Sequence, residues 1–122
     1  MKAFGFIALF VLFPLFFSCA QGGGKDTPAN DPALQENVVY LDVRTAEEFS
    51  AGHIPNALLL PFNQISTQSA QDLLGAKDTP IVIYCRSGNR SRVAFDALKK
   101  LGYTNLKDLG GIGNWNGELS YQ

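Results

Sequence analysis

The segment "PIVIYCRSGNRSRVAFDALKKLG", residues 80–102, joins an apolar run to an amphipathic one through a short polar loop. Its first part, residues 80–85, predicts a buried strand, and the proline occupies the first position, where a missing N–H costs no ladder bond. In its second part apolar residues recur at helical spacing, and Gly102 provides the left-handed residue that ends a helix. The segment therefore predicts a strand, a loop and a helix in direct succession.

Segments on both sides continue the alternation of strands and helices. Residues 37–44 predict a strand buried on both faces, and residues 45–52 predict a short helix with Thr45 as N-cap, Glu48 closing a capping box and Gly52 at its end. The remaining predicted elements are a strand in "NALLLP", a helix in "SAQDLLGA", a weaker strand in "TNLKDLGG" and a helical turn within "IGNWNGELSYQ". This order indicates an α/β fold with a parallel sheet flanked by helices.

The chain of 122 residues is predicted to have three parts. Residues 1–18 combine one early cation with an apolar stretch that is typical of a cleaved secretory signal and too short for a membrane-spanning helix. Cys19 follows a small residue and resembles the lipidated cysteine of bacterial lipoproteins. A Gly- and Pro-rich tether, residues 19–35, leads to one compact domain, residues 36–122. We expect an exported domain, either free in the periplasm or anchored to the cell envelope by a lipid.

The amino-acid composition bears on which classes of partner the protein could bind. The chain has ten basic and eleven acidic residues and no basic run, which argues against nucleic acid. Of its two cysteines one is Cys19, so Cys85 is the only ordinary thiol of the mature domain and has no internal disulfide partner. An unpaired cysteine in an exported protein indicates a function. We expect a monomer that meets the membrane only through the lipid anchor.

Cys85 ends the third predicted strand and directly precedes the strongest predicted helix. In an open parallel sheet, ligands bind beyond the carboxyl ends of the strands, and Cys85 lies at such an end. Backbone N–H groups of the loop and of the first helical turn can converge there, bind an anion and favour thiolate over thiol. A buried structural cysteine would have apolar neighbours instead, so the sequence favours a reactive thiol.

The loop that follows Cys85 is predicted to bind an anionic substrate. Gly88 permits the loop geometry, and Asn89 or Ser91 can cap the helix. Arg86 and Arg90 add fixed positive charge for an oxyanion. The expected substrate-binding residues are Arg86, Ser87, Gly88, Asn89, Arg90 and Ser91.

Three motifs resemble the rhodanese family. "CRSGNRS" is similar to the family's active-site loop, "LDVRTAEEFSAGHIPNA" to its upstream signature and "GGIGNW" to its closing one. They occur in the family's order between Val38 and Trp115. The resemblance is closest to the small single-domain periplasmic rhodaneses of the phage-shock type, which implies that the first strand and helix of larger rhodanese domains are missing here.

The resemblance implies sulfur transfer. Rhodanese-fold phosphatases and arsenate reductases have a longer C-x5-R loop around a tetrahedral anion, whereas Arg90 lies at C-x4-R and Ser91 occupies the C-x5 position. One residue fewer shortens the loop by up to about 3.5 Å, which favours sulfur transfer over phosphate or arsenate chemistry.

By this resemblance, the Cys85 thiolate takes sulfane sulfur from thiosulfate or a similar donor and holds it as a persulfide. It then passes the sulfur to cyanide or a thiol, and neither a metal nor an organic cofactor is required. We expect Cys85→Ser to abolish transfer and leave the fold intact, because the change is small and lies at the surface.

The resemblance also implies supporting roles. It places Asp42 near the loop and Arg44 in an ion pair with Glu47 or Glu48, both as scaffold. Trp115 is expected in the core at the border of the active-site pocket.

Two alternatives to enzymatic turnover stay open. One is a persulfide carrier or sulfur-relay partner with little turnover on thiosulfate, and the other is a non-catalytic binding module. The intact cysteine disfavours the binding module, because inactive rhodanese modules usually lose it.

His53 is the only histidine, but the family's histidine at this position lies in a turn and is not a general base.

Overall fold

Four parallel strands form one sheet in the order β2–β1–β3–β4 in the computed structural model, which describes residues 37–122. The strands are β1 (Val39–Asp42), β2 (Leu58–Leu59), β3 (Ile81–Cys85) and β4 (Leu106–Gly111). The helices are α1 (Ala46–Ser50), α2 (Thr67–Leu74) and α3 (Asn89–Lys100), with 3-10 turns at Phe62–Gln64 and Ile112–Asn114. The predicted α/β fold is confirmed.

Several predictions concern residues 1–36 and lie outside the described residues. They are the signal, the lipidated Cys19, the tether and the absence of a strand and helix before β1. Within residues 37–122, no helix is long and apolar enough to cross a membrane.

Strand β3 forms the centre of the sheet, because it pairs with β1 on one side and β4 on the other. Its residues are mostly buried, as its continuous apolar sequence predicts. Since all the strands are parallel, their carboxyl ends share one edge. The register brings Asp42 beside Tyr84 and Cys85 beside Gly111 at that edge. The core around this sheet consists of Leu41, Val43, Leu60, Ala70, Leu74, Ile81, Ile83, Cys85, Ala94, Leu98 and Tyr103.

The two helices nearest the site begin differently. Helix α1 has the predicted capping box, in which the Thr45 hydroxyl accepts from Glu48 N and the Glu48 carboxylate accepts from Thr45 N. The prediction that Asn89 or Ser91 caps α3 is wrong, because the N-cap is Gly88 and no side chain caps this helix. Gly88 has a left-handed φ of 102°, a conformation that glycine adopts without steric cost.

Candidate active site

Cys85 is fully buried at the end of β3, and its sulfur faces the start of α3. The backbone N–H of Gly88 donates to its Sγ at 3.0 Å. The expectation that this residue lies at the surface is therefore wrong. It is wrong because β3 is the central strand, so its last side chain is covered by the loop and by neighbouring strands. The thiol therefore packs against the apolar core on one side and meets the polar loop on the other.

Two opposing effects set the pKa of the Cys85 thiol. Burial raises this pKa, because it penalises the charged form. Hydrogen bonds lower it, and the donors are the backbone N–H of Ser91, that of Gly88, the Ser91 hydroxyl and the backbone N–H of Ser87. The hydrogen bonds prevail, and the pKa of the thiol lies below its usual value. Of the predicted cradle of loop N–H groups, the Gly88 N–H makes a direct hydrogen bond to the sulfur, and the role of the others stays a prediction.

Ser91 stiffens this cradle from inside the helix. It is fully buried in the first turn of α3, and its Oγ donates to the carbonyl of Gly88 at 2.9 Å. That bond holds the left-handed residue whose N–H points at the sulfur. The hydroxyl carries one proton, so it serves either the Gly88 carbonyl or the Cys85 sulfur at a given moment.

The two arginines that follow Cys85 differ in their surroundings. Arg90 donates to the Glu48 carboxylate through both outer nitrogens, at 2.7 and 2.8 Å. Arg86 is exposed, as are Ser87 and Asn89. The role of Arg90 as an anion ligand stays a prediction, and its guanidinium lies against a carboxylate in this structure.

The predicted ion pair of Arg44 with Glu47 or Glu48 is wrong. Arg44 pairs with Asp42, and its Nη2 lies 2.6 Å from Asp42 Oδ2. The chain bends directly after β1, and Asp42 Oδ1 accepts from Arg44 N at 2.9 Å, which keeps the two side chains together. Glu48 is turned towards Arg90 instead.

Asp42 and Arg44 belong to a buried polar cluster at the end of β1. Arg44 also donates to the carbonyl of Gly52 at 2.7 Å, and its guanidinium lies 5.6 Å from the centre of the Tyr84 ring. The Tyr84 hydroxyl accepts from Ile54 N, and burial raises the pKa of this phenol. Among residues 37–122, no buried side-chain nitrogen or oxygen lacks a partner. The cluster fixes the end of β1 beside β3.

His53 and Trp115 make contacts typical of scaffold residues. The His53 ring stacks on Phe49 with centroids 3.7 Å apart, and its Nδ1 lies 2.8 Å from the Phe49 carbonyl. The expectation that Trp115 lies in the core is wrong, because the residue is only half-buried: its ring packs edge-on against Tyr40 and donates through Nε1 to the carbonyl of Glu118.

Two residues of this site were not predicted from the sequence. Glu48 was expected to cap α1 and was a candidate partner of Arg44, but its contact with Arg90, 42 residues away in the chain, was not predicted. Gly111 lies beside Cys85 in the sheet, and the glycine pair at 110–111 is the sequence signal that could have pointed to it.

The described residues offer other features that do not coincide with this site. A cavity of about 390 Å³ is lined by Phe95, Lys99, Gly102, Tyr103, Thr104 and Leu106, none of which is a predicted site residue. It adjoins the first residue of β4, whereas Cys85 lies beside the last one. Within residues 37–122, no group of three or more His, Cys, Asp or Glu side chains could hold a metal ion.

A parallel α/β domain that presents a cysteine in a cradle of N–H groups belongs to the class of proteins suited to covalent cysteine chemistry. The sequence model of the rhodanese-like domain family matches residues 28–118. The chain therefore belongs to the rhodanese-like domain family.

Curated relatives carry sulfurtransferase names. A sulfurtransferase of Allochromatium vinosum is 42% identical over 81 residues, which are 66% of this chain and 73% of that protein. The thiosulfate sulfurtransferase PspE of Escherichia coli is 29% identical over 73 residues, covering 60% and 69% of the two chains. The adenylyltransferase and sulfurtransferase uba4 of Ogataea parapolymorpha is 36% identical over 88 residues, but this chain spans only 22% of its length.

A solved structure agrees on the fold. The structure described as a rhodanese with anions from E. coli superposes with a TM-score of 0.64 and 24% identity, covering 70% of this chain and 99% of that one.

Proposed function

We propose that the protein is a thiosulfate sulfurtransferase in which Cys85 carries the transferred sulfur as a persulfide. The observation that carries the proposal is the hydrogen bond from Gly88 N to the Cys85 sulfur, in a loop whose donors lower the pKa of the thiol. Further support comes from the relatives whose names include sulfurtransferase, one of them a thiosulfate sulfurtransferase.

The proposed reaction has two steps. In the first, the Cys85 thiolate attacks the outer sulfur of thiosulfate, an S–S bond to Cys85 forms, and the S–S bond of thiosulfate breaks. The bonding electron pair of thiosulfate leaves with sulfite. In the second, cyanide or a thiolate attacks the outer sulfur of the persulfide, and the electron pair of that bond returns to Cys85 as thiolate. Preorganised N–H groups stabilise the negative charge at each stage.

Arg86 is the cation that we expect to contact the incoming anion. It is exposed in the loop directly after the nucleophile, and it makes no ion pair among residues 37–122. Arg90 lies nearby in the first turn of α3, but both of its outer nitrogens already donate to a carboxylate. We therefore assign substrate attraction mainly to Arg86, with the loop N–H groups as the direct ligands.

The test is thiocyanate formation from thiosulfate and cyanide, with the wild-type protein beside Cys85→Ser. The variant is expected to lose all turnover, because a serine hydroxyl is not ionised at neutral pH. The substituted side chain is buried, so urea unfolding of both proteins must accompany the assay. A serine oxygen can still accept from Gly88 N, and we expect a stability loss of about 1 kcal/mol. Turnover by a folded Cys85→Ser protein would overturn the proposed mechanism.

A sulfur-relay partner is the second candidate, and the similarity to uba4 favours it. In that case Cys85 would form a persulfide with little release of thiocyanate. Mass spectrometry after incubation with thiosulfate distinguishes the two, since a relay protein accumulates one extra sulfur on Cys85 and the enzyme turns over. A folded protein that shows neither would be a binding module.

We also propose that the domain acts as an exported monomer anchored through lipidated Cys19. The support is the apolar segment followed by a small residue and a cysteine. Cell fractionation of the full chain and of Cys19→Ala tests the anchor, because only the wild type should sediment with membranes. Analytical ultracentrifugation of the released domain tests the monomer.

A further inference from the structure

Strand β4 is irregular where it passes the catalytic loop. Ile83 pairs with Asp108, but the next residue, Tyr84, pairs with Gly110. Leu109 is therefore an extra residue, and the strand bulges at this point. Bulges bend a strand and re-aim the residues beyond them, and they are frequent beside active sites.

Two side chains hold the bulge in shape. Asp108 Oδ1 accepts from Gly110 N at 2.8 Å, and Asn114 Nδ2 donates to the carbonyl of Leu109 at 2.8 Å. Gly110 itself has a left-handed φ of 81°. These contacts fix the geometry of the bulge, and Gly111 is the first residue after it.

Gly111 touches the backbone of the catalytic loop. A Cβ at this position would lie 2.6 Å from the carbonyl oxygen of Arg86 and 3.4 Å from Ser87 Cα. The backbone of Gly111 is extended, with φ −83° and ψ 151°, so its conformation does not require glycine. The glycine is required by the close approach of the Arg86 carbonyl.

This approach fixes the orientation of one peptide unit. Because the described residues contain no cis peptide, the Arg86 carbonyl and the Ser87 N–H point in opposite directions. With the carbonyl packed on β4, the N–H of Ser87 is turned away from β4. The next residue, Gly88, packs on the bulge, since a Cβ there would lie 3.5 Å from Gly110 Cα, and its N–H donates to the Cys85 sulfur at 3.0 Å. Hydrogen bonds from the N–H groups of both Ser87 and Gly88 lower the pKa of the Cys85 thiol.

We propose that the bulge of β4 is a positioning device for the thiolate: it sets Gly111 against the Arg86 carbonyl and Gly110 against Gly88, and so holds the Gly88 N–H towards the Cys85 sulfur. Gly111 is the contact, and Asn114 maintains the bulge that presents it. The proposal deepens the proposed function, because a correctly ionised Cys85 is what sulfur transfer needs. It can be tested without any sulfur donor.

The experiment is the pH profile of Cys85 alkylation by iodoacetamide, followed by mass spectrometry of the peptide that contains Cys85. Gly111→Ala is compared with Gly113→Ala, a change in the adjoining 3-10 turn where a Cβ meets nothing within 4 Å. We expect Gly111→Ala to shift the midpoint to higher pH and to slow alkylation below it by about ten-fold, the effect of losing one hydrogen bond to a charged group. Gly113→Ala should follow the wild type.

Coincident profiles for a folded Gly111→Ala protein and the wild type would overturn the proposal. If urea unfolding shows that Gly111→Ala does not fold, Asn114→Ala decides instead, with the exposed neighbour Asn116→Ala as control. A midpoint shifted upwards in Asn114→Ala alone supports the device, and an unchanged one overturns it. Thiosulfate turnover is measured separately. A shifted profile in a protein without turnover therefore upholds the device while the proposed function fails.

Discussion

Arg90 and Glu48 join α3 to α1 through two parallel hydrogen bonds. Arg90 Nη1 lies 2.7 Å from Glu48 Oε2, and Nη2 lies 2.8 Å from Oε1. The same Oε2 accepts from Thr45 N at 3.0 Å. One carboxylate therefore closes the cap of α1 and holds the first turn of α3. A bidentate pair of this kind fixes the plane of the Arg90 guanidinium.

The first prediction is that Arg90 and Glu48 act as a unit. Arg90→Gln and Glu48→Gln should each lower kcat/KM by roughly five-fold, and the double variant should be no worse than either single one. The reason is that each single change already releases the first turn of α3. The measurement is thiosulfate-dependent thiocyanate formation by the four proteins.

Arg92→Gln is the matched control for that cycle, since Arg92 is an exposed arginine of the same helix. It should leave kcat/KM close to the wild-type value. If Arg90→Gln lowered kcat/KM much more than Glu48→Gln did, the two residues would not act as a unit. Arg90 would then be a direct ligand of the anion.

The second prediction concerns stability at acid pH. The hydrogen bonds from Arg90 hold the pKa of Glu48 at about 2, below the usual 4.5. A carboxyl whose pKa is lowered on folding contributes stability that is complete above pH 4.5 and is lost as pH falls towards 2. The pair is partly exposed, so the loss should be about 1–2 kcal/mol. Urea unfolding at several pH values in this range measures the free energy of unfolding. That free energy should fall by this amount more in the wild type than in Glu48→Gln.

Glu47→Gln provides the control for the acid series, because Glu47 is an exposed carboxylate one residue away in α1. It should keep the wild-type dependence on pH. Equal slopes for Glu48→Gln and the wild type between pH 4.5 and about 2 would show that the ion pair does not stabilise the fold.

Local patterns explain the part of the structure that could be predicted from the sequence. The apolar run before Cys85 and the helical spacing after it depend on neighbours in the chain, and so does the capping box of Thr45 and Glu48. Such features need no knowledge of the tertiary structure. The family motifs added the prediction that Cys85 is the nucleophile.

Contacts between distant segments explain the part that could not be predicted. Glu48 was a candidate partner of Arg44, but Arg90, 42 residues away in the chain, binds its carboxylate instead. The burial of Cys85 depends on β3 being central, which the order of segments along the chain does not determine. The closeness of Gly111 to Arg86 depends on a one-residue bulge, and bulges have no signal in hydrophobic periodicity.

The third prediction separates the two serines that follow Cys85. Ser91 acts through its buried side chain as well as its N–H, whereas Ser87 acts on the thiol through its N–H alone. Ser91→Ala should therefore raise the pKa of Cys85, seen as a shift of the iodoacetamide profile to higher pH and a fall in turnover at neutral pH. Ser87→Ala keeps its N–H and should leave the profile unchanged. Equal profiles for the two variants would mean that the Ser91 hydroxyl has no part in holding the thiolate.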